Sequence, residues 1–365
     1  MTYRAIGMMS GSSLDGLDIV FAEFTVQGDQ WQYRILAADC IPYPEEWVRR
    51  LRDAIHLGAR DYLLLHAAYG HFTGEQVNAF IQRHGLEFQV ALVSSHGHTT
   101  FHVPEGRMTA QLGDGAAIAA VTGLPVVSDL RALDVALGGQ GAPIVPMGER
   151  QLLGDYRFFL NLGGIANLSE KCEPYIAFDV CPANRVLNLL ASTQGLAYDD
   201  QGRLAASGTL NHGLLEDLNQ QAYYDQTYPK SLANDFGTDI LYPMIRETGI
   251  PTADALRTFT EHIAVQVGRA VRERVALRTS AAADRMLVTG GGGFNTYLMD
   301  RIADHLGPAG VLTEVPEPNL VNYKEALIMA FLGVLRWRQE YTVLSSVTGA
   351  RHDSIGGALW NGQEA

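Results

Sequence analysis

Three glycine-rich turns, each following an apolar strand-like run, constrain the fold of this chain more than any other feature of its sequence. The run "RAIGMM" leads into "SGSSLDG", "YRFFLNL" leads into "GGIAN", and "RMLVT" leads into "GGGGFN". Glycine lets a backbone turn tightly and approach a ligand closely. One such turn is common in any fold, but three in one chain, each after a strand, favour an α/β protein that binds a nucleotide.

The strand and helix signals form two similar series. The first opens with three strand-like runs typical of an antiparallel meander, and continues with a helix over residues 45–55, a buried strand over residues 90–97 and a helix that ends at Gly123. This order of elements predicts a sheet whose first three strands are antiparallel.

The second series repeats the theme. Strand signals flank the glycine turn of residues 161–169, Pro182 is placed to open a helix, and apolar residues every four positions predict a long amphipathic helix over residues 255–277. A strand, a glycine loop and a helix with Asn295 as its N-cap follow. Two such series predict a duplicated α/β core that holds a ligand between its halves, with a boundary between Pro125 and Pro146.

Composition limits the classes of partner. The 365 residues exceed one usual hydrophobic core, and the net charge of −13, without a basic cluster, argues against nucleic acid and against an anionic membrane surface. No stretch approaches the roughly 18 apolar residues of a spanning helix, so we expect a cytoplasmic protein. The cysteines Cys40, Cys172 and Cys181 have no paired spacing, which predicts reduced thiols rather than disulfides or a zinc site.

The first glycine turn combines phosphate-binding groups with carboxylates. Backbone N–H groups and the hydroxyls of Ser10, Ser12 and Ser13 suit phosphate oxygens. Asp15 becomes acceptable beside phosphate if a magnesium ion lies between them, because magnesium is bound through carboxylates, waters and substrate phosphate. The alternative is that Asp15 belongs to a plain hairpin turn with Asp18 as its polar flank.

The other two turns lack the context of better-known nucleotide motifs. Asn161–Ser169 is a candidate phosphate turn, and Thr289–Asn295 is a glycine loop suited to close approach of a base or ribose. The chain has no GxxxxGK[ST] segment, and its late glycines lack the strand-helix-strand context of a dinucleotide fold.

Asp179 follows the apolar run "YIAF" and precedes Pro182. Ligands of α/β sheets bind beyond the carboxyl ends of strands, so a carboxylate there can act as a general base. The alternative role is an acidic N-cap of the next helix.

Several further side chains are candidates for polar contacts. His96 and His98 could share one face of a strand and bind a metal, but contacts to substrate or to the core, shared with His102, are the favoured interpretation. Arg131 is either a clamp for an anionic group or an ion-pair partner. Glu325 opens an apolar helix, where its alternative role is favourable placement at the positive helix end.

Taken together, the chain resembles the anhydro-N-acetylmuramic acid kinase family, within the superfamily of actin, hexokinase and heat-shock ATPases. The resemblance spans nearly the whole chain and rests on motifs in the family's order: "GMMSGSSLDGLD", "SSHG", "SDLRALDVALGGQGAPIVP", "NLGGIANLS", "FDVCPAN", "TGGGGFN", "KEA" and "SVTGA".

The resemblance implies an α/β, two-lobed actin/hexokinase-like fold, a duplicated ribonuclease H-like fold with a central nucleotide cleft. It implies an N-terminal lobe of residues 1–130, joined by residues 342–365, that carries the phosphate hairpin and part of the sugar site. Residues 131–341 would form a C-terminal lobe with the catalytic aspartate, the second phosphate turn and the adenosine loop. A homodimer is also expected from the family.

The resemblance also implies the chemistry. ATP with Mg²⁺ would phosphorylate anhydro-N-acetylmuramic acid while its 1,6-anhydro ring is opened by water, giving N-acetylmuramic acid 6-phosphate for cell-wall recycling. Asp179 would be the base, and Asp15 the metal ligand, while Asp18 shapes the hairpin. The implied sugar contacts are Ser12, His96, Arg131 and Glu325. The implied ATP contacts are Gly11, Ser12, Ser13, Leu14, Asp15, Gly16, Leu17, Asp18, Asn161, Gly163, Gly164, Gly290, Gly291, Gly292 and Asn295.

The chain departs from the commonest family pattern in places. Ser12 replaces a Thr, His98 replaces a Gln, and the segments Val180–Asn184 and Ser231–Asp235 differ from the usual Thr-Gly-Pro-Gly-Asn and Ser-Thr-Gly-Arg-Glu. Two alternatives stay open at this point: a kinase of another sugar or of a carboxylate without ring opening, and a non-catalytic nucleotide or sugar sensor.

Overall fold

The first sheet begins with the predicted meander. In the computed structural model, which describes residues 1–11, 14–228, 230–232, 235–277 and 284–362, three antiparallel strands are followed by a fourth that runs parallel to the first. The strands of this sheet are β1 (Thr2–Ser10), β2 (Gly16–Gln27), β3 (Gln30–Pro42), β4 (Leu92–Val103), β5 (Met108–Leu112), β6 (Val126–Ser128) and β12 (Ala358–Trp360). Their order is β12-β6-β4-β1-β2-β3, with β5 paired to β4.

Helices cover this sheet with apolar faces. They are α1 (Glu45–Arg52), α2 (Ala59–His84), α3 (Gly115–Thr122), α4 (Ala132–Ala136), α5 (Val145–Leu152), α12 (Pro318–Trp337) and α13 (Ser345–Thr348). The predicted end of α3 at Gly123 is confirmed, because Gly123 has φ +68° and its amide closes the last turn on Ala119. Helix α12 packs directly on β1, where a Cβ at Gly7 would overlap the carbonyl oxygen of Ala326.

The second sheet lies in the middle of the chain. Its strands are β7 (Phe158–Leu162), β8 (Ile165–Glu170), β9 (Ile176–Pro182), β10 (Asp284–Thr289) and β11 (Val311–Glu314), in the order β11-β10-β7-β8-β9. The accompanying helices are α6 (Asn184–Ser192), α7 (Arg203–Ser207), α8 (His212–Asn219), α9 (Tyr242–Glu247), α10 (Thr252–Val275) and α11 (Thr296–Leu306), with a π-helical turn over Phe236–Leu241.

The long amphipathic helix is present as α10. Its apolar stripe of Ile263, Val267 and Val271 is fully buried in the core of the second sheet. The helix ends at Val275, two residues before the predicted end, which is within ordinary fraying of a helix terminus.

The two sheets repeat one topology. Apart from β5 and β12 of the first sheet, each sheet has a second strand that is antiparallel to the first and third. Two further strands run parallel to the first: β4 and β6 in the first sheet, β10 and β11 in the second. The predicted α/β class with a duplicated core is therefore confirmed.

The chain divides into two compact units, Met1–Gly154 with Tyr323–Ala365 and Asp155–Asn322. These boundaries differ from the expected 130/131 and 341/342. The Pro- and Gly-rich stretch up to Pro146 resembles a linker in sequence, but it leads into α5, which packs in the first unit. There, the buried Lys324 Nζ donates to Glu149 Oε1 at 2.8 Å.

Within the part of the chain that the structure describes, no helix combines the length and the apolar character that a bilayer span requires.

Candidate active site

The described residues between β1 and β2 are Gly11, Leu14 and Asp15. The Leu14 amide donates to the Gly11 carbonyl at 3.4 Å, and Leu14 has φ +59°. Gly16 begins β2 where a Cβ would lie 2.6 Å from the Cys40 sulfur, so this position requires glycine. Ser12 and Ser13, both predicted to contact phosphate, lie outside the described residues.

Asp18 lies in the β1–β2 hairpin, within β2. It pairs with Met9 on β1 and with Cys40 on β3. Burial raises the pKa of Asp18 to about 6, a hydrogen bond with the Cys40 thiol opposes this, and the charges of Asp15 and Glu325 raise the pKa further.

The first unit thus brings three carboxylates into electrostatic contact. The negative charges of Asp15 and Glu325 both act on Asp18, which is itself largely buried. A divalent cation would relieve this repulsion, and carboxylate oxygens are the ligands that Mg²⁺ prefers. Among the described residues these carboxylates do not by themselves form a group that could hold a metal ion, so Mg²⁺ here would need further ligands such as water and substrate phosphate.

Arg131 and His96 form a fixed pair in the first unit. Arg131 Nε donates to His96 Nε2 at 2.8 Å, and Arg131 Nη1 donates to the Gly141 carbonyl at 2.6 Å. Since a guanidinium only donates, His96 Nε2 must be the acceptor, and His96 Nδ1 carries the hydrogen that it donates to the Gly97 carbonyl at 2.9 Å. Burial and the charge of Arg131 lower the pKa of His96 to about 3, so His96 stays neutral.

Arg131 keeps its own charge in this setting. Burial lowers its pKa to about 10, while the charges of Glu325 and Asp134 raise it. The two hydrogen bonds use two of its five N–H donors and fix the plane of the fork. Both of these acceptors, His96 Nε2 and the Gly141 carbonyl, are neutral, so neither bond is an ion pair.

Glu325 does not open its helix. Helix α12 begins at Pro318, so Glu325 lies in the third turn, beyond the reach of the positive helix end. The continuous apolar run begins only after the motif "KEA", so the earlier turns of the helix were not predicted from the sequence. The charge of Glu325 acts on both Arg131 and Asp18, which places it in the same neighbourhood as the other candidate side chains of this unit.

The other two histidines of β4, His98 and His102, lie against hydroxyl groups. His98 Nδ1 lies 3.0 Å from Ser10 Oγ, and His102 Nδ1 lies 3.1 Å from Thr109 Oγ1. Burial lowers the pKa of His98. Among the described residues no cluster of three or more His, Cys, Asp or Glu side chains suits a metal ion, which supports the core and contact interpretation of these histidines.

The buried carboxylate of Asp134 joins two of the sequence motifs. It accepts from the Gly141 amide and from Thr348 Oγ1, both at 2.7 Å. The segment "GGQGAPIVP" is therefore tied to the segment "SVTGA" near the end of the chain. This contact also fixes Gly141, whose carbonyl holds Arg131.

In the second unit, two of the predicted glycine turns meet. A Cβ at Gly290, where φ is +81°, would lie 2.6 Å from Asn161 Oδ1, and a Cβ at Gly292 would lie 2.6 Å from the Leu162 Cβ. Asn184 Nδ2 donates to the Leu162 carbonyl at 2.9 Å. The candidate phosphate turn and the candidate adenosine loop are thus adjacent, as one nucleotide-binding surface requires.

Asn295 is the N-cap of α11, as its sequence position predicts. Its Oδ1 accepts from the Leu298 amide at 3.0 Å. The side-chain oxygen is therefore engaged by the helix, and the side-chain Nδ2 is the group of Asn295 suited to a ligand acceptor.

Asp179 is positioned by a β-bulge. Ala166 pairs with Cys181, but Asn167 pairs with Asp179, so Val180 is an extra residue in β9. In a regular register Asp179 would lie opposite Leu168, which is fully buried. Because a shift of one residue exchanges the faces of a strand, the bulge brings Asp179 opposite a polar neighbour.

The Asp179 carboxylate is hydrogen-bonded but retains a raised pKa. Asn167 Nδ2 donates to its Oδ1, and the Leu232 amide donates to its Oδ2 at 2.8 Å. Burial raises the pKa, while the bonds from Leu232, Asn167 and Ser231 oppose the rise. The N-cap of α6 is Ala183, so Asp179 is not the helix cap that was the alternative role.

Sequence reasoning missed three neighbours of the candidate groups. These are Asn167 beside Asp179, Cys40 beside Asp18, and Tyr223, whose hydroxyl donates to the Asp179 carbonyl at 2.6 Å. Asn167 carried one signal, since it lies inside the motif "NLGGIANLS". Cys40 and Tyr223 carried none, because strand pairing and a distant turn bring them to the site. Of the segment Ser231–Asp235, Ala233 and Asn234 lie outside the described residues.

Comparison with known proteins identifies the family. The family model of anhydro-N-acetylmuramic acid kinase matches residues 3–362. The chain belongs to the anhydro-N-acetylmuramic acid kinase family. An anhydro-N-acetylmuramic acid kinase of Photobacterium profundum is 34% identical, over 98% of this chain and 98% of its own. One of Haemophilus influenzae is 32% identical, over 97% of each chain.

Solved structures of other proteins are more distantly similar to this family member. The (R)-2-hydroxyglutaryl-CoA dehydratase component A of Acidaminococcus fermentans is 13% identical, with 90% of this chain and 96% of that chain covered and a TM-score of 0.45.

Proposed function

We propose that this protein is an ATP-dependent kinase that opens the 1,6-anhydro ring of anhydro-N-acetylmuramic acid with water and phosphorylates the freed 6-oxygen. The observation that carries the proposal is the placement of Asp179: a bulged strand presents one carboxylate, hydrogen-bonded at both oxygens, in a chain that belongs to this family. The product is N-acetylmuramic acid 6-phosphate, an intermediate of cell-wall recycling.

In this reaction Asp179 acts as general base. Its carboxylate accepts a proton from water, and the water oxygen bonds to the anomeric carbon as the bond from that carbon to the bridging 6-oxygen breaks. The 6-oxygen then bonds to the γ-phosphorus of ATP, and ADP leaves. One water, one ATP and one anhydro sugar give one sugar phosphate, one ADP and the proton that Asp179 released. A base of this kind contributes about 10²–10⁴-fold to a rate.

The glycine turns of both units supply the proposed contacts to ATP. Gly11 to Asp18 are proposed to contact the phosphates, and Asn161, Gly163 and Gly164 are proposed as the second phosphate turn. Gly290, Gly291, Gly292 and Asn295 are proposed to contact the adenosine.

Mg²⁺ would be held by Asp15 near Asp18 and Glu325. Bound there, the ion would neutralise phosphate charge, which is the main requirement of phosphoryl transfer. The repulsion among the three carboxylates supports this assignment.

The sugar contacts are proposed in the first unit. Arg131 would bind the lactyl carboxylate through its fixed fork, with neutral His96 holding the plane of that fork. Glu325 and Ser12 complete the proposed set. A guanidinium held rigidly loses little conformational freedom on binding, which favours tight recognition of a planar carboxylate.

A homodimer and a location in the cytoplasm are further proposals from family membership. Size-exclusion chromatography with light scattering tests the first: a mass of one 39.8 kDa chain in solution would contradict it.

Mass spectrometry of the product tests the function. Incubation with anhydro-N-acetylmuramic acid and ATP should give a sugar heavier by one phosphoryl group plus one water. A gain of one phosphoryl group alone would show a kinase without ring opening. Tight nucleotide binding with no transfer to this sugar, or to glucose and N-acetylglucosamine as comparison substrates, would show a sensor instead.

A further inference from the structure

Asn167 lies directly opposite Asp179 because of a β-bulge in the second sheet. The bulge at Val180 shifts the register of β9 by one residue, so that Asn167 of β8 and Asp179 of β9 become cross-strand partners. Directly opposed residues of an antiparallel pair have Cβ atoms about 4.5–5.5 Å apart, within reach of a side-chain hydrogen bond. The Asn167 amide makes that bond, donating from Nδ2 to Asp179 Oδ1.

The Asp179 carboxylate is held at its second oxygen by the main chain. The Leu232 amide donates to Oδ2 at 2.8 Å, and the Tyr223 hydroxyl donates to the Asp179 carbonyl at 2.6 Å. The Leu232 contact is a backbone donor that a side-chain substitution leaves in place. Among the side-chain donors, Asn167 lowers the pKa of Asp179 more than Ser231 does, so its removal is expected to change the state of the carboxylate most.

We propose that Asn167 is a positioning residue for Asp179: its side-chain amide fixes the carboxylate in one rotamer and favours the ionised form that accepts a proton from water. The inference rests on the proposed function, in which Asp179 is the base. A hydrogen bond donated to a carboxylate stabilises its charged form, and burial acts in the opposite direction.

Burial and hydrogen bonding have opposite effects on the pKa of Asp179. Burial dominates and raises its pKa, and the bonds from Leu232, Asn167 and Ser231 oppose that rise. Removal of the Asn167 donor would raise the pKa further. The base would then be protonated, and inactive, over a wider range of acidic pH.

Other titratable groups near Asp179 do not replace this donor. Burial raises the pKa of the Tyr223 phenol, which therefore stays protonated, and burial lowers the pKa of Lys230, whose Nζ lies 4.8 Å from the centre of the Tyr223 ring. Tyr223 and Ser231 also line a cavity of about 420 Å³ with Asp235 and Asp239. The remaining titratable neighbour on the strand is the buried thiol of Cys181, whose pKa burial raises.

The pH dependence of kcat/KM in Asn167→Ala and Asn167→Asp tests the proposal. In Asn167→Ala the acid limb should move up by about one to two pH units, because a hydrogen bond to a charged group is lost. In Asn167→Asp it should move further, because two adjacent carboxylates share a proton. In Asn167→Ala, activity should recover towards the wild-type value above the new limb.

A purely structural role predicts a different result. Loss of packing would lower the rate by a similar factor at every pH and would leave the limb in place. Asn78→Asp is the matched control, since Asn78 makes an exposed contact in the other unit and receives the same change of amide to carboxylate. Circular dichroism and thermal unfolding of each variant establish that the fold is retained.

A measurement without turnover separates this inference from the proposed function. The carboxyl carbon resonance of Asp179, assigned by its absence in Asp179→Asn, can be titrated by NMR in wild type and in both Asn167 variants. Upward shifts of its pKa support the positioning role even if no sugar phosphate is formed. An unchanged pKa in Asn167→Ala, in an enzyme that does form product, overturns the positioning role alone.

Discussion

The two units place an aspartate in the same pairing of two topologically equivalent sheets, yet surround it with different chemistry. In the first unit Asp18 of the second strand faces Cys40 of the third, with Asp15 and Glu325 acting on it. In the second unit the aspartate lies on the other strand of the pair: Asp179 of the third strand is opposite Asn167 of the second. One carboxylate has further carboxylates and a thiol for neighbours, and the other has an amide and a backbone N–H.

This difference shows how neighbours divide two roles between similar carboxylates. Burial, with a smaller contribution from the charges of Asp15 and Glu325, raises the pKa of Asp18 to about 6. The hydrogen bonds at Asp179 oppose the rise in pKa that burial causes, and so favour the ionised carboxylate. Pairs of acids whose surroundings differ in this way are expected where acid, base and metal-binding roles coexist.

The largest expected effect is at the second-unit carboxylate. Asp179→Asn removes the base and keeps the shape, so kcat should fall by about 10²–10⁴-fold. The affinity for ATP, measured by isothermal titration calorimetry, should stay within a few-fold of wild type. A kcat near the wild-type value would remove Asp179 from the mechanism and break the comparison.

The next effect concerns stability in the first unit. The pKa of Asp18 is higher in the folded chain than its ordinary 3.8, so the folded state binds the extra proton between about pH 4 and 6. The free energy of unfolding should therefore fall as pH rises through that window, by about 3 kcal/mol from this group. Asp18→Asn should remove most of that fall, as measured by urea unfolding in EDTA.

The same unfolding measurements, repeated with Mg²⁺, compare Asp18 with Asp179. Added Mg²⁺ should stabilise wild type at neutral pH more than it stabilises Asp18→Asn, whereas Asp179→Asn should respond to Mg²⁺ as wild type does. Unfolding curves of Asp18→Asn that run parallel to wild type across pH would contradict the account of its surroundings.

Arg131→Lys tests the proposed contact between Arg131 of the first unit and the sugar. A lysine ammonium cannot hold both the His96 nitrogen and the Gly141 carbonyl and still present a planar fork. The KM for the sugar should rise by about 10- to 100-fold, with little change in the KM for ATP. Arg34→Lys, at an exposed ion pair with Glu23, is the control and should leave both values unchanged. Equal rises in both KM values would argue against a sugar contact.

The smallest effect is expected in the glycine turns of the second unit. Gly290→Ala imposes both a positive φ and an overlap with Asn161, whereas Gly310→Ala imposes a positive φ with open space around the new methyl group. Thermal unfolding should show Gly290→Ala less stable than Gly310→Ala by about 1 kcal/mol or more. The KM for ATP should rise in the first variant alone. Equal stabilities would mean that the two glycine turns do not pack as described.

Much of the fold is predictable from local patterns. The meander, the end of α3 at Gly123, the apolar stripe of α10 and the Asn295 cap all follow from short-range signals. Helix α2 is not, because its apolar pattern is weak and it contains Gly70 and Gly74. These glycines allow close contact with α3, where a Cβ at Gly70 would lie 2.6 Å from the Asp114 carbonyl.

The candidate site is likewise only partly predictable from local patterns. Glycine turns and isolated carboxylates are visible in sequence, but their neighbours depend on register between strands. A single extra residue, Val180, decides that Asp179 faces Asn167 rather than Leu168. The place of Glu325 in the third turn of α12 likewise depends on where the helix begins, which is the least certain part of a sequence prediction.

The central claim is that water opens the 1,6-anhydro ring in the reaction that phosphorylates the 6-oxygen, and a reaction in oxygen-18 water tests that claim most directly. The product formed in labelled water, analysed before the anomeric oxygen exchanges with solvent, should carry one heavy oxygen at the anomeric carbon and none in the phosphoryl group. Unlabelled product kept in the same water is the control for exchange. A sugar phosphate without label at that carbon, or with label in the phosphoryl group, would contradict hydrolytic opening coupled to transfer.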